Sequence, residues 1–191
     1  MSKRHLGLAA ATAAFALSIG FAPIGHAADK PFTISAGAFR DGTPMPKRFA
    51  GNVAGSPNCD GKNISPALIW SNAPAGTKSF AIIMIDPDGQ KGLGVMHWIA
   101  YGIPATKKGL KEGEASTPTP DIIGGINSRN TVLYAGPCPP HGLRPHHYVI
   151  SLIATDLDPG ALQPGMTRDA LMAALKGHGL DSITTIGTYA H

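Results

Sequence analysis

Phe-Ala-Ile-Ile-Met-Ile, at residues 80–85, is the most apolar run in the chain beyond its N-terminal region. Its length and its β-branched residues predict a central strand that is buried on both faces. The run stops at Asp-Pro-Asp-Gly, residues 86–89, where proline cannot donate to a sheet and aspartate favours a turn. This stretch therefore predicts a buried strand that delivers two carboxylates to one end of a sheet.

The rest of the chain also predicts a mostly β protein. The 191 residues include 24 Gly and 17 Pro, which argues against a helical bundle and for short strands joined by loops. Further strands are expected at residues 32–36, 97–101, 148–155 and 183–189, a turn at 41–46 and a polar surface loop at 107–120, and residues 67–70 are again apolar. One helix is expected near the C-terminus, with Thr167 as its N-cap and Gly177 as its stop.

The first 27 residues are expected to be a cleaved signal peptide, followed by a single domain over residues 28–191. Lys3 and Arg4 precede an apolar stretch rich in small residues, and Gly25-His26-Ala27 resembles a cleavage site. A membrane anchor is the alternative, but the stretch is short of the roughly 20 apolar residues that span a bilayer. We therefore expect a bacterial protein in the periplasm or the medium.

The charge and the cysteines limit the classes of function. Removing Lys3 and Arg4 lowers the formal net charge from +4 to about +2, and no basic run remains, so nucleic acid is not expected as a partner. Cys59 and Cys138 could form a disulfide in an oxidising compartment. Two buried free thiols are the alternative, and the sequence leaves that choice open.

Chemistry-bearing residues cluster in three segments. Asp86 and Asp88 follow the central strand, His97 opens the next strand, and His146 and Tyr148 alternate with His147 at the start of another. Because strand neighbours face opposite sides, His146 and Tyr148 should share one face, whereas His147 points away. The cluster suits anion binding, metal binding or acid–base catalysis.

Each of these residues also has an ordinary structural explanation. Asp-Pro-Asp is a common turn sequence, and a histidine beside a tryptophan is often a packed, hydrogen-bonded residue. His97, His146 and Asp86 could form a two-histidine, one-carboxylate metal site, but no compact ligand spacing supports it. We therefore expect no metal and no cofactor.

Several segments together resemble the phosphatidylethanolamine-binding protein family, particularly its bacterial Raf-kinase-inhibitor-like branch. The matching sequences are Asn-Ile-Ser-Pro-Ala-Leu-Ile-Trp (63–70), Pro-Ala-Gly-Thr-Lys-Ser-Phe (74–80), Asp-Pro-Asp (86–88), His-Trp (97–98), Tyr-Ala-Gly-Pro-Cys-Pro-Pro (134–140) and His-His-Tyr (146–148). They occur in the family's order and spacing. This chain departs from the family at Gly89-Gln90, where Ala-Pro is usual, so the rim of the site should differ in shape.

The resemblance implies a large antiparallel sheet packed on a smaller one, with a few peripheral helices. It also implies a non-enzymatic pocket at one sheet end for phosphate or phospholipid head groups. By position, its residues are Asp86, Asp88, His97, Gly136, Pro139, Pro140, His146 and Tyr148. Peripheral membrane contact and an unknown protein partner are possible extensions. A hydrolase or transferase using an Asp–His pair, or an inhibitor module with a vestigial pocket, is the alternative function.

Overall fold

The computed structural model describes residues 30–191, which form two β-sheets and two short α-helices. The strands are β1 (Thr33–Ala36), β2 (Thr43–Pro44), β3 (Leu68–Ser71), β4 (Ser79–Asp86), β5 (Val95–Pro104), β6 (Gly109–Leu110), β7 (Ile123–Gly124), β8 (His146–Thr155) and β9 (Gly179–Tyr189). The helices are α1 (Gly89–Gly92), a single turn in which Gln90 and Lys91 have left-handed backbone angles, and α2 (Arg168–Leu175). Two 3₁₀ turns lie at Lys47–Phe49 and Glu114–Ser116. The mostly β fold class is confirmed.

The larger sheet has the order β2-β9-β8-β4-β5-β7, and the smaller has the order β1-β3-β6. Strand β4 lies inside the larger sheet, antiparallel to β5 on one side and to β8 on the other. Only the pairing of the short β2 with β9 is parallel in this part of the chain. The central position expected for residues 80–85 is therefore confirmed.

Side chains on the two faces of β4 enter two apolar clusters. Phe80, Ile82 and Met84 face the smaller sheet and pack in the main core with the aromatic rings of β3 and β5. Ala81 and Ile83 face the opposite side, where α2 covers the sheet. A run that is apolar at every position is thus required because both faces of this strand are buried.

Helix α2 begins and ends as its sequence predicts. The Thr167 hydroxyl accepts a hydrogen bond from the Ala170 amide at 3.3 Å and caps the N-terminus. Leu171 and Leu175 are buried on one face against the sheet. Gly177 follows the last turn with a φ of 84°, a left-handed conformation that glycine adopts without steric cost.

Two sequence predictions need correction. The expected turn at residues 41–46 contains β2, which adds an edge strand to the larger sheet. The expected surface loop at residues 107–120 contains β6, which pairs with β3, and the 3₁₀ turn Glu114–Ser116. Leu110 and Ala115 are buried in the core, so this segment contributes to packing as well as to the surface.

The signal peptide predicted at residues 1–27 lies outside the described residues. Among residues 30–191, neither helix has the length or the apolar character needed to cross a bilayer.

Candidate functional site

The larger sheet brings three of the predicted segments together at one end. Strand β4 ends at Asp86, and β8 begins at His146 beside it, because Ile85 is paired with Val149. On the other side, β5 places His97 next to the end of β4. Asp86, His97, His146 and Tyr148 are all buried, with exposures between 0 and 7%. The expected cluster at a sheet end is therefore present.

Asp86 is held by three hydrogen bonds. Its Oδ1 accepts from the backbone amides of Asp88 at 2.9 Å and Gly89 at 3.0 Å, which closes the turn after β4. Its Oδ2 lies 2.8 Å from Nδ1 of His146. Gly89 is needed here, because an added Cβ would lie 3.1 Å from Oδ2 of Asp86 and 2.6 Å from the Val95 side chain. The carboxylate therefore fixes both the turn and the histidine.

His97 is held in one orientation by the loop that precedes the disulfide. Its Nδ1 lies 2.7 Å from the carbonyl oxygen of Ala135, so this nitrogen carries a proton and donates it. Burial lowers the pKa of His97, outweighing the opposing effect of the Ala135 hydrogen bond. The neutral ring therefore has an Nε2 that can accept a hydrogen bond.

Tyr148 contributes a buried hydroxyl. Its ring is fully buried and lies edge-to-face against His97, with 5.2 Å between the ring centroids. Among residues 30–191, the Tyr148 hydroxyl has no hydrogen-bond partner. Burial raises the pKa of this phenol far above its ordinary value, so the group is neutral and can donate. A buried polar group without a partner is uncommon and needs an explanation.

The loop over residues 134–140 lines the site on the side of His97. The amide of Gly136 donates to Oδ1 of Asn63 at 2.8 Å, and Nδ2 of Asn63 donates to the carbonyl of Tyr134 at 3.1 Å. A Cβ at Gly136 would collide with the backbone carbonyl of Phe49. Close backbone approach thus explains the glycine at this position.

A disulfide fixes the same loop. Cys138 is bonded to Cys59, with their Cα atoms 4.8 Å apart and a sequence separation of 79. The pairing that the sequence left open is therefore present in the structure. Pro139 is buried beside it, whereas Pro140 is exposed.

Asp88 is directed toward the rim of the site and not toward the buried histidines. Its Oδ1 accepts from Arg144 at 2.8 Å, and its Oδ2 accepts from the amide of His147 at 2.9 Å and lies 2.8 Å from that ring's Nδ1. The hydrogen bonds from His147, and then the Arg144 charge, lower the pKa of Asp88. Asp88 therefore ties the turn after β4 to the loop before β8.

The sequence does not predict the contacts of three residues near the site. His147 points away from the pocket as predicted, but its contact with Asp88 was not predicted. The contact of Arg144 with Asp88 was not predicted either. Arg129 is half-buried and donates to the carbonyl of Gly136 at 3.2 Å. It also approaches the sulfur of Cys138. These long-range contacts leave no signature in the local sequence.

Among the described residues, no group of three or more histidine, cysteine or carboxylate side chains is arranged to hold a metal ion. His97 uses Nδ1 for a carbonyl, and His146 uses Nδ1 for Asp86.

The two-sheet fold corresponds to a known class of binding proteins. A family model described as phosphatidylethanolamine-binding protein matches residues 35–190. A UPF0098 protein of Aquifex aeolicus is 37% identical over 153 residues, covering 80% of this chain and 84% of that protein. The crystal structure of Escherichia coli YbcL, titled a new member of the mammalian PEBP family, aligns with a TM-score of 0.75 and 27% identity, over 84% of this chain and 98% of that one. The chain therefore belongs to the phosphatidylethanolamine-binding protein family.

A third relative bears on location. A Mycobacterium tuberculosis protein named as a lipoprotein, LppC, is 37% identical over 138 residues, covering 70% of this chain and 62% of that protein. The Cys59–Cys138 disulfide points the same way, because disulfides persist mainly in oxidising compartments. Both observations indicate an extracytoplasmic location.

Proposed function

We propose that this protein binds a phosphoryl group, free or on a phospholipid head group, at the buried site of Asp86, His97, His146 and Tyr148. The observation that carries the proposal is the buried Tyr148 hydroxyl, which has no hydrogen-bond partner among residues 30–191, whereas His97 and His146 beside it are hydrogen-bonded. A ligand oxygen would satisfy this donor. The proposed setting is the periplasm or the medium, reached by means of the signal peptide predicted at residues 1–27.

The proposed role of His146 is to donate to the anion. Its Nδ1 faces the Asp86 carboxylate, so a proton on this nitrogen is stabilised by the carboxylate. A second proton, on Nε2, makes the ring a cation that donates to the ligand. A doubly protonated ring would therefore keep its bond to Asp86 while Nε2–H binds the anion.

The proposed role of His97 is to accept a proton from the ligand. With Nδ1–H donated to Ala135 and a lowered pKa, the ring presents an unprotonated Nε2. A phosphate monoester monoanion carries a P–O–H that can donate to this nitrogen, whereas sulfate has no such proton. The site should therefore prefer a protonated phosphoryl group to sulfate.

The test is calorimetric titration of the purified protein with phosphorylethanolamine, inorganic phosphate and sulfate. We expect saturable binding of the two phosphoryl compounds, weaker binding of sulfate, and loss of all three in His146→Ala. A matched control is His178→Ala, because His178 lies 2.8 Å from Asp156 in the same kind of pair at the opposite end of β8. Binding that survives His146→Ala would overturn the proposal.

One alternative has an observation in its favour. The Asp86–His146 pair is the arrangement that general acid–base catalysis uses. Release of inorganic phosphate from phosphorylethanolamine by the wild type, but not by His146→Ala, would favour a hydrolase over a binding protein.

A further inference from the structure

Two loops at the site end of the larger sheet each expose a leucine. Leu93 lies in the loop between β4 and β5 and is 88% exposed. Leu143 lies in the loop before β8 and is 51% exposed. The two loops are joined by the bond from Arg144 to Asp88, at 2.8 Å. Both leucines therefore belong to the surface around the proposed phosphoryl site.

The backbone holds Leu93 outward in a defined turn. Gln90 and Lys91 have φ values of 50° and 59°, a left-handed conformation that is unfavourable for residues with a side chain. The turn is closed by the Gly94 amide, which donates to the carbonyl of Gly89 at 3.0 Å. Strained backbone that persists in a structure is often found at functional sites. The turn displays an apolar side chain to solvent at a conformational cost.

The charges beside the leucines are mostly positive. Lys91 is exposed two residues before Leu93, and the Arg144 side chain, next to Leu143, is 76% exposed. The carboxylate on this rim, Asp88, is only 15% exposed and already accepts from Arg144 and His147. The outer surface of the two loops therefore presents leucine and cationic side chains together.

We propose that residues 89–94 and 141–145 form a surface that docks onto an anionic phospholipid bilayer. Leu93 and Leu143 would enter the head-group and acyl boundary, and Lys91 and Arg144 would contact lipid phosphates. This inference rests on the proposed function for its purpose, because docking brings lipid phosphoryl groups to the buried site.

A lipid surface fits these loops better than a second protein does. The leucines stand on separate loops, each next to a glycine and within two residues of Lys91 or Arg144, whereas the centre of a protein interface is depleted of charge. Leucine combined with lysine and arginine is typical of membrane-surface segments. The observations therefore favour an anionic bilayer, and self-association becomes an outcome of the test.

The experiment measures flotation of the purified protein with vesicles of phosphatidylethanolamine and phosphatidylglycerol, and with vesicles of phosphatidylcholine alone. We expect binding to the anionic vesicles that weakens with salt and is lost on phosphatidylcholine. Leu93→Ser and Leu143→Ser should each weaken it by about tenfold, since a buried leucine side chain contributes roughly that much. Lys91→Gln should weaken it by about fivefold at low salt.

The matched control is Ile69→Ser on β3, since Ile69 is 57% exposed but lies in the smaller sheet. It should bind vesicles as the wild type does. Vesicle affinity that is unchanged in both leucine variants would overturn the inference. So would a dimer in sedimentation that Leu93→Ser dissociates, because the loops would then be an interface between copies.

Soluble phosphorylethanolamine separates this inference from the proposed function. Leu93→Ser should bind it as tightly as the wild type, because Leu93 makes no contact with the buried site in the proposal. Vesicle binding that depends on Leu93, without any binding of phosphorylethanolamine, would support the docking surface and refute the proposed site. Binding of phosphorylethanolamine without vesicle flotation would support the proposed site and refute the docking surface.

Discussion

Replacing Asp86 by asparagine tests how the site controls its proton. In the wild type, Oδ2 of Asp86 faces Nδ1 of His146 at 2.8 Å, so a neutral ring carries its proton on Nδ1 and turns a lone pair on Nε2 toward the ligand. In Asp86→Asn, the amide oxygen can keep the two bonds to the turn, and the amide nitrogen then faces His146. That nitrogen donates, so His146 must accept with Nδ1 and carry its proton on Nε2.

The two states should differ in which nitrogen of His146 carries the proton. In the ¹⁵N NMR spectrum of a neutral His146 ring, Nδ1 should be the protonated nitrogen in the wild type. In Asp86→Asn, Nε2 should be the protonated nitrogen, because the amide nitrogen of the new side chain donates to Nδ1.

The substitution also has a cost in stability. The three bonds that Asp86 makes change from charge-assisted to neutral, and each should lose about 1 kcal/mol. Urea denaturation should therefore show a loss of about 3 kcal/mol in the free energy of unfolding. Asp156→Asn is the control: its pair with His178 is about half exposed, so the loss should be below about 1 kcal/mol, and the His146 proton should stay on Nδ1. A proton that stays on Nδ1 of His146 in Asp86→Asn would refute the proton assignment.

Three further outcomes follow from the site and its support. In Tyr148→Phe, the free energy of unfolding in urea should stay the same or rise by up to about 2 kcal/mol, because the variant loses a buried hydroxyl that has no partner among residues 30–191. Calorimetry of the same variant should show weaker phosphate binding. Because folding lowers the pKa of His97, the unfolded chain binds the proton more readily, so stability should fall as the pH drops through about 6.5 and level off below the folded pKa. In His97→Gln, urea midpoints measured from pH 7 to pH 5 should lose this component. Replacing Cys59 and Cys138 by serine should cost about 4 kcal/mol in thermal or urea unfolding, from the loop that the disulfide closes.

The sequence predicts a strand well where the residues of that strand alone show which of its faces are buried. Residues 80–85 are apolar at every position because both faces of β4 are covered, and the structure confirms this. Leu110 and Ala115 are different, since each is a single apolar residue within a polar segment, and β6 is only two residues long. So short an element has no period to detect, and its pairing with β3 is decided by distant residues.

In the candidate site, too, features set within one strand could be predicted, whereas a feature set by another loop could not. Strand alternation predicts that His146 and Tyr148 face inward and His147 outward, and the burial pattern of β8 confirms it. The contact of Asp86 with His146 follows from their places at one sheet end. The direction of Asp88 could not be predicted in this way, because a side chain in a turn follows the donors that the next loop happens to present.

Asp86 and Asp88 therefore have separable roles, although only one residue lies between them. Asp86 fixes the proton on a buried histidine, whereas Asp88 holds the rim through Arg144 and His147, and its lowered pKa keeps it charged from pH 6 to pH 8. Asp88→Asn should leave the His146 proton on Nδ1, since no contact of Asp86 with His146 is lost. It should weaken vesicle flotation and speed amide hydrogen exchange in residues 141–147, because the loop loses its ion pair. A move of the His146 proton to Nε2 in this variant would show instead that the rim and the buried site act as one unit.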